Sequence, residues 1–252
     1  MQRLYHAILL FLYVSPALFS QSTRPDLWNT AVNILADNLN WVPGEMTMQF
    51  EMLDKKGHAD MVNVSTYKIY ADENGDVHSE LVKMLNDGED VTEKEKAKAE
   101  KSEKDKNDGP GDMEHSMSWM DSPFHPDNQD AIQLTPLEKE ETIEGKRCRR
   151  FDYTLPRSES TRIGTVWVDV ETGAPLRHEF TTDPLPPRVK KLTNIVIYEY
   201  TADGAFYTKQ AMFEGVGGIL FIKKRFRGTM TFKDYWYHEE KKENRTDHSA
   251  GI

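Results

Sequence analysis

A single cysteine, Cys148, stands among the 252 residues, so no intramolecular disulfide can form and the fold must be held by its core. Positive charge is in deficit: the formal net charge is -10 and the pI is near 5.3. Such a chain repels nucleic acid and anionic membrane at long range, so no nucleic-acid partner is expected. Long apolar runs are missing as well. The run Ala7–Val14 falls far short of the roughly 20 residues of a spanning helix, which argues against an integral membrane protein. The eight histidines are scattered, with no His-Glu-x-x-His and no Cys/His cluster, so neither a metal nor another cofactor is expected. No Gly-x-Ser-x-Gly elbow occurs, and Cys148, between Arg147 and Arg149, reads as a small inward-facing strand residue. No catalytic residue can be named. A hydrolase would need carboxylates distant in sequence to converge.

Export is the first thing the chain does carry. Arg3, the apolar run Ala7–Val14 and the small residues Ser15, Ala17, Ser20 and Ser22 follow the order of a secretory signal peptide, predicted over residues 1–22. Residues 23–237 then read as one β-rich domain, and residues 238–252 as a disordered polar tail. Within the domain, Trp28, Val32, Leu35 and Leu39 mark an amphipathic helix over Asp26–Leu39, ended by Pro43-Gly44. Period-two alternation in Glu45–Leu53 puts Met46, Met48, Phe50 and Met52 on one face. Strands follow at Met61–Tyr70 and Val77–Leu85, around the hairpin pair Asn74-Gly75. Asp72-x-Asn74-x-Asp76 resembles the start of a calcium loop but lacks the Gly and the closing Glu, so it reads as a turn. Between 86 and 117, Lys, Glu and Asp replace almost all apolar residues. This is a solvated insertion that cannot bury a face.

The second half is strand after strand, with turns at Glu144-Gly145, Gly173, Asp203-Gly204 and Gly217-Gly218. Val166 and Val168 share a face, as do Leu176, His178 and Phe180. A hairpin is expected from Leu192–Tyr200 and Ala205–Glu214. Ile219–Trp236 alternates with Leu220, Ile222 and Phe226 on one side, and a bend is expected near Gly228. The expected fold is therefore mainly β: a curved antiparallel sheet with the N-terminal helix packed on it.

The run Gly164-Thr165-Val166-Trp167-Val168-Asp169-Val170-Glu171-Thr172-Gly173-Ala174-Pro175-Leu176 carries a Trp-x-Asp strand that turns through Gly into Pro-Leu. Together with the preceding Glu144–Tyr153 it resembles the LolA-like family of lipoprotein-sorting and periplasmic carrier domains. The resemblance implies an unclosed half-barrel around an apolar cavity, a lipid or acylated lipoprotein as cargo, and a periplasmic setting. In a source without an outer membrane the location would be extracellular. Candidate cavity residues are Met46, Met48, Phe50, Met52, Val166, Val168, Leu176, Phe180, Leu220, Ile222 and Phe226. Arg188, Lys190 and Lys191, in the Pro-rich segment Asp183–Lys191, are placed at a rim that meets an anionic headgroup. The alternative is an envelope protein-binding or sensor module on the same fold, without lipid cargo.

Overall fold

The computed structural model describes residues 26–105, 122–219 and 222–238. The signal-peptide reading, most of the polar tail, the end of the charged insertion and Leu220 lie outside the described residues. Among the described residues 61% are strand, with two helices and one large antiparallel sheet that does not close into a barrel.

Helix α1 (Asp26–Asp37) opens the fold, followed by β1 (Trp41–Val42), β2 (Glu45–Leu53), β3 (Ala59–Ala71), β4 (Val77–Asn86) and β5 (Glu89–Asp90). Helix α2 (Thr92–Asp105) comes next. Then follow β6 (Gln133–Ile143), β7 (Lys146–Pro156), β8 (Thr161–Asp169), β9 (Pro175–Asp183), β10 (Val189–Tyr200), β11 (Phe206–Ile219), β12 (Ile222–Lys233) and β13 (Trp236–Tyr237). The large sheet has the order β5-β4-β3-β2-β12-β11-β10-β9-β8-β7-β6, and β1 pairs separately with β13. Within the large sheet, β2 against β12 ties the N-terminal hairpins to the C-terminal meander.

The helix buries its stripe where the pattern requires it. Trp28, Ala31 and Leu35 are fully buried, at the i, i+3, i+7 spacing of one helix face. Trp28 lies 4.8 Å from the Phe124 ring and 5.5 Å from Phe151. Its indole N–H donates to Gln129 Oε1 at 2.9 Å, which satisfies the one polar atom that burial would strand. Gln129 Nε2 in turn donates to the Pro123 and His125 carbonyls, so the 122–132 segment is strapped across the helix. Val166, Val168, Phe151, Tyr153, Leu155, Tyr198 and Phe206 complete this core on β7, β8, β10 and β11. Gly173, at φ 76°, turns β8 into β9 hard against Thr30, where any Cβ would collide with the helix.

Three expectations meet a different structure. Gly217-Gly218 is not a turn: β11 runs on to Ile219, which pairs with Ile222 across the hairpin. Ile219–Trp236 is not one strand either, because β12 stops at Lys233 and Trp236 belongs to β13, opposite Val42. Leu176 parts from His178 and Phe180. A bulge opposite Trp167 and Val168 turns it to the other face of the sheet, where it packs with Cys148 and Trp167.

Candidate functional site

Residues directly opposite one another in an antiparallel pair share a face. The register therefore draws one row across the sheet: Tyr153, Gly164, Phe180, Asn194, Phe213, Gly228 and Phe50. Its Tyr153 end lies under α1 in the core. Its Phe50 end reaches β2 and β12, and among the described residues no side chain of β2, β3 or β12 belongs to that core cluster.

On this half, which among the described residues lies outside the α1 core, the face is built from methionine and phenylalanine. Met48 stands opposite Met230, Met52 opposite Phe226 and Met61, and Met46 opposite Phe232 and Tyr67. Met46 is buried, whereas Met48, Phe50, Met52, Phe213, Phe226 and Met230 are half-buried. Phe50, Phe213 and Phe226 form a triangle with ring centroids 6.2–6.4 Å apart. Two glycines seat these rings. A Cβ at Gly215 would lie 2.5 Å from Phe226 Cζ, and one at Gly228 would collide with the Phe213 ring. The rings lie flat over bare backbone, so a ledge of polarisable, rearrangeable side chains faces outward.

The opposite face of the same strands is polar. Glu51, buried, accepts from Arg227 Nε and from Gln49 Nε2, and the Arg227 hydrogen bond holds its carboxyl below the usual range. Lys233 pairs with Glu45 at 3.0 Å.

A stacked column marks the boundary between core and ledge. The Arg162 guanidinium sits 4.3 Å above the Phe180 ring, which stacks 4.7 Å from His178. His178, fully buried, meets the Tyr153 hydroxyl at 2.5 Å. Desolvation first, and Arg162 second, push the His178 imidazole well below its ordinary pKa, so it is neutral.

The structure thus brings together Met46, Met48, Phe50, Met52 and Phe226 from the sequence candidates, with Phe180 at their border. Val166 and Val168 are fully buried in the α1 core, and Leu176 is on the other face. Ile222 pairs with Ile219 at the hairpin end. Arg188, Lys190 and Lys191 lie exposed at the start of β10. Sequence reasoning missed Phe213 and the two seating glycines. The signal was present in the spacing Gly215–Phe213 against Phe226–Gly228, but it needs the β11–β12 register to be read.

Cys148 is buried beside Trp167, and burial pushes its thiol pKa up, away from reactivity. Asp72 Oδ1 accepts from the Asn74 and Asp76 amides, so this carboxylate closes the β3–β4 turn. Among the described residues no group of three or more His, Cys, Asp or Glu side chains could hold a metal. A depression of about 470 Å³ opens on the polar face, between Thr135, Asp152, Thr165 and Glu179. Among the described residues no helix is long and apolar enough to cross a membrane.

No protein-family model matches the chain, and no curated protein matches it. Among solved structures it is similar to a DUF1329 family protein from Desulfovibrio piger, at 12% identity, covering 89% of this chain and 97% of that one, with a TM-score of 0.35. MucB in complex with MucA(peri) is similar at 10% identity, covering 82% and 92% of the two chains, with a TM-score of 0.22. The Pseudomonas aeruginosa MucA/MucB complex gives 10%, 82% and 93%, and 0.23. Identities and scores of this size say nothing of a shared ligand.

Proposed function

We propose that the protein is an exported, non-enzymatic binding protein that holds a hydrophobic, acyl-chain-like ligand on the methionine and phenylalanine ledge. The observation that carries this reading is the continuity of that ledge over β2, β12 and β11, outside the core under α1. A core needs well-packed side chains of defined shape; Met48, Met52 and Met230, half-buried around three rings, suit a partner whose shape varies. The resemblance of residues 164–176 to LolA-like carriers and the N-terminal export pattern support the same reading and a periplasmic setting.

Binding here is burial of apolar surface, with no bond made or broken. Fifteen methylenes contribute about 12 kcal/mol gross at about 0.8 kcal/mol each. Association removes at least about 4 kcal/mol of this, which leaves at best roughly micromolar affinity.

Native mass spectrometry with lipid extraction, on protein purified from its own envelope fraction, tests the proposal. A stoichiometric acylated species is expected, reduced by Phe50→Asp in protein that retains its near-UV circular dichroism. Protein that is empty and also takes up no fluorescent fatty acid would overturn it, in favour of an envelope protein-binding module.

A further inference from the structure

Charge is distributed unevenly along the strands. The β2–β3 turn presents Lys55 and Lys56, both exposed. Beside it, Lys223, Lys224 and Arg225 near the start of β12 are all exposed, with Arg225 paired to Leu53 and its Nη1 near Gly57. On the far side of β11, the Arg188 carbonyl accepts from Gly218 N at 3.0 Å, and Lys191 pairs with Val216. Arg188, Lys190 and Lys191 are exposed there. Adjoining strand ends therefore carry eight basic side chains, against the carboxylates of Asp54, Asp60 and Asp183. Of those acids, Asp60 engages Lys224 at 3.4 Å and Asp54 is held by the amides of its own turn. The patch is bounded on the β4 side by the acidic turn Asp87, Glu89 and Asp90.

We propose that this end of the sheet is a docking surface for an anionic phospholipid bilayer. The net charge of -10 does not oppose it at contact. The 12 residues of β12 span roughly 40 Å at about 3.3 Å each, and the Debye length at physiological salt is about 8 Å. Acidic groups at the opposite strand ends, such as Asp72 and Asp76, are thus screened from a bilayer that meets the basic end. Each exposed Lys or Arg near an anionic surface raises partition about fivefold. The same end carries Phe226 and Met52, the margin of the ledge, so docking brings that apolar face to the headgroup boundary. The inference goes beyond acyl-chain binding and does not depend on it.

Flotation of the purified protein with phosphatidylcholine vesicles, and with an equal mixture of phosphatidylcholine and phosphatidylglycerol, is the test. Binding to the anionic vesicles alone is expected, falling steeply as salt rises to about 0.5 M. The quadruple variant K190E/K191E/K223E/K224E, all exposed positions, should lose at least about a hundredfold in partition. Phe50→Asp should keep vesicle binding while losing fatty-acid uptake, so the two readings fail separately. Equal binding to both vesicle types, binding insensitive to salt, or an unaffected quadruple variant would each overturn the proposal.

Discussion

At Gly228 the backbone of β12 passes directly beneath an aromatic ring. The residue stays in register between Phe213 and Phe50, and its missing side chain is what lets Phe213 lie flat. Gly228→Ala should destabilise by about 1–3 kcal/mol through overpacking, read as a lowered urea midpoint. Shortening the partner with Phe213→Leu should recover part of that loss in the double variant, because the two positions share one space. His178 gives a second residue-scale expectation. Its imidazole is neutral in the fold and protonates near 6.5 once exposed. Below that value the unfolded chain binds a proton that the folded chain refuses. Stability is therefore full above about pH 6.5 and falls as pH drops, by up to about 1.4 kcal/mol per unit until the depressed folded pKa is reached. Urea melts of wild type and His178→Gln between pH 7 and 5 check this: the variant should show a shallower slope.

Among the elements, those written in one periodicity were legible and those that depend on a neighbour were not. The α1 stripe and the alternation of β2 could be read residue by residue, because Trp28 to Leu35 and Met46 to Met52 each obey a single repeat. β6 was not identified: Pro136 and the charged run Glu138–Glu141 break its alternation, and a register shift follows Pro136. The face of Leu176 was misassigned because a bulge leaves no trace in composition. Within the charged insertion, Thr92–Asp105 forms helix α2, which the i, i+3 and i, i+4 charges support; Lys98 meets Glu95 at 2.5 Å. α2 is tied to β4 by the Lys96–Glu80 ion pair at 3.5 Å and, at its first residue, by one hydroxyl. Thr92 Oγ1 accepts from Met84 N at 2.9 Å and donates to Asp90 Oδ1 at 2.6 Å. Thr92→Val keeps the shape and strands the Met84 amide, a loss of about 1–3 kcal/mol. Faster hydrogen exchange at Met84, with little change at β7 and β8, is the expected reading.

For the molecule as a whole, one sheet has two differently supported halves. β7 to β10 lie against α1 and the 122–132 strap, with Trp28, Phe124, Phe151 and Val166 fully buried. β2, β3 and β12 hold together by their ladders and by half-buried Met and Phe, with Met46, Leu53 and Ile69 as their buried apolar anchors. Opening free energy follows buried apolar contact, so the second half should open sub-globally before the first. In hydrogen exchange, amides of β2, β3 and β12 should exchange at a lower free energy than those of β7 and β8. An acyl ligand bound to the ledge should raise protection in β2, β12 and β11, and leave β7 and β8 near their global limit, because binding to a locally closed state stabilises that state alone. A uniform rise over the whole sheet would mean that the two halves unfold as one unit. A rise confined to β7–β9 would place the ligand under α1 and remove the ledge as its site.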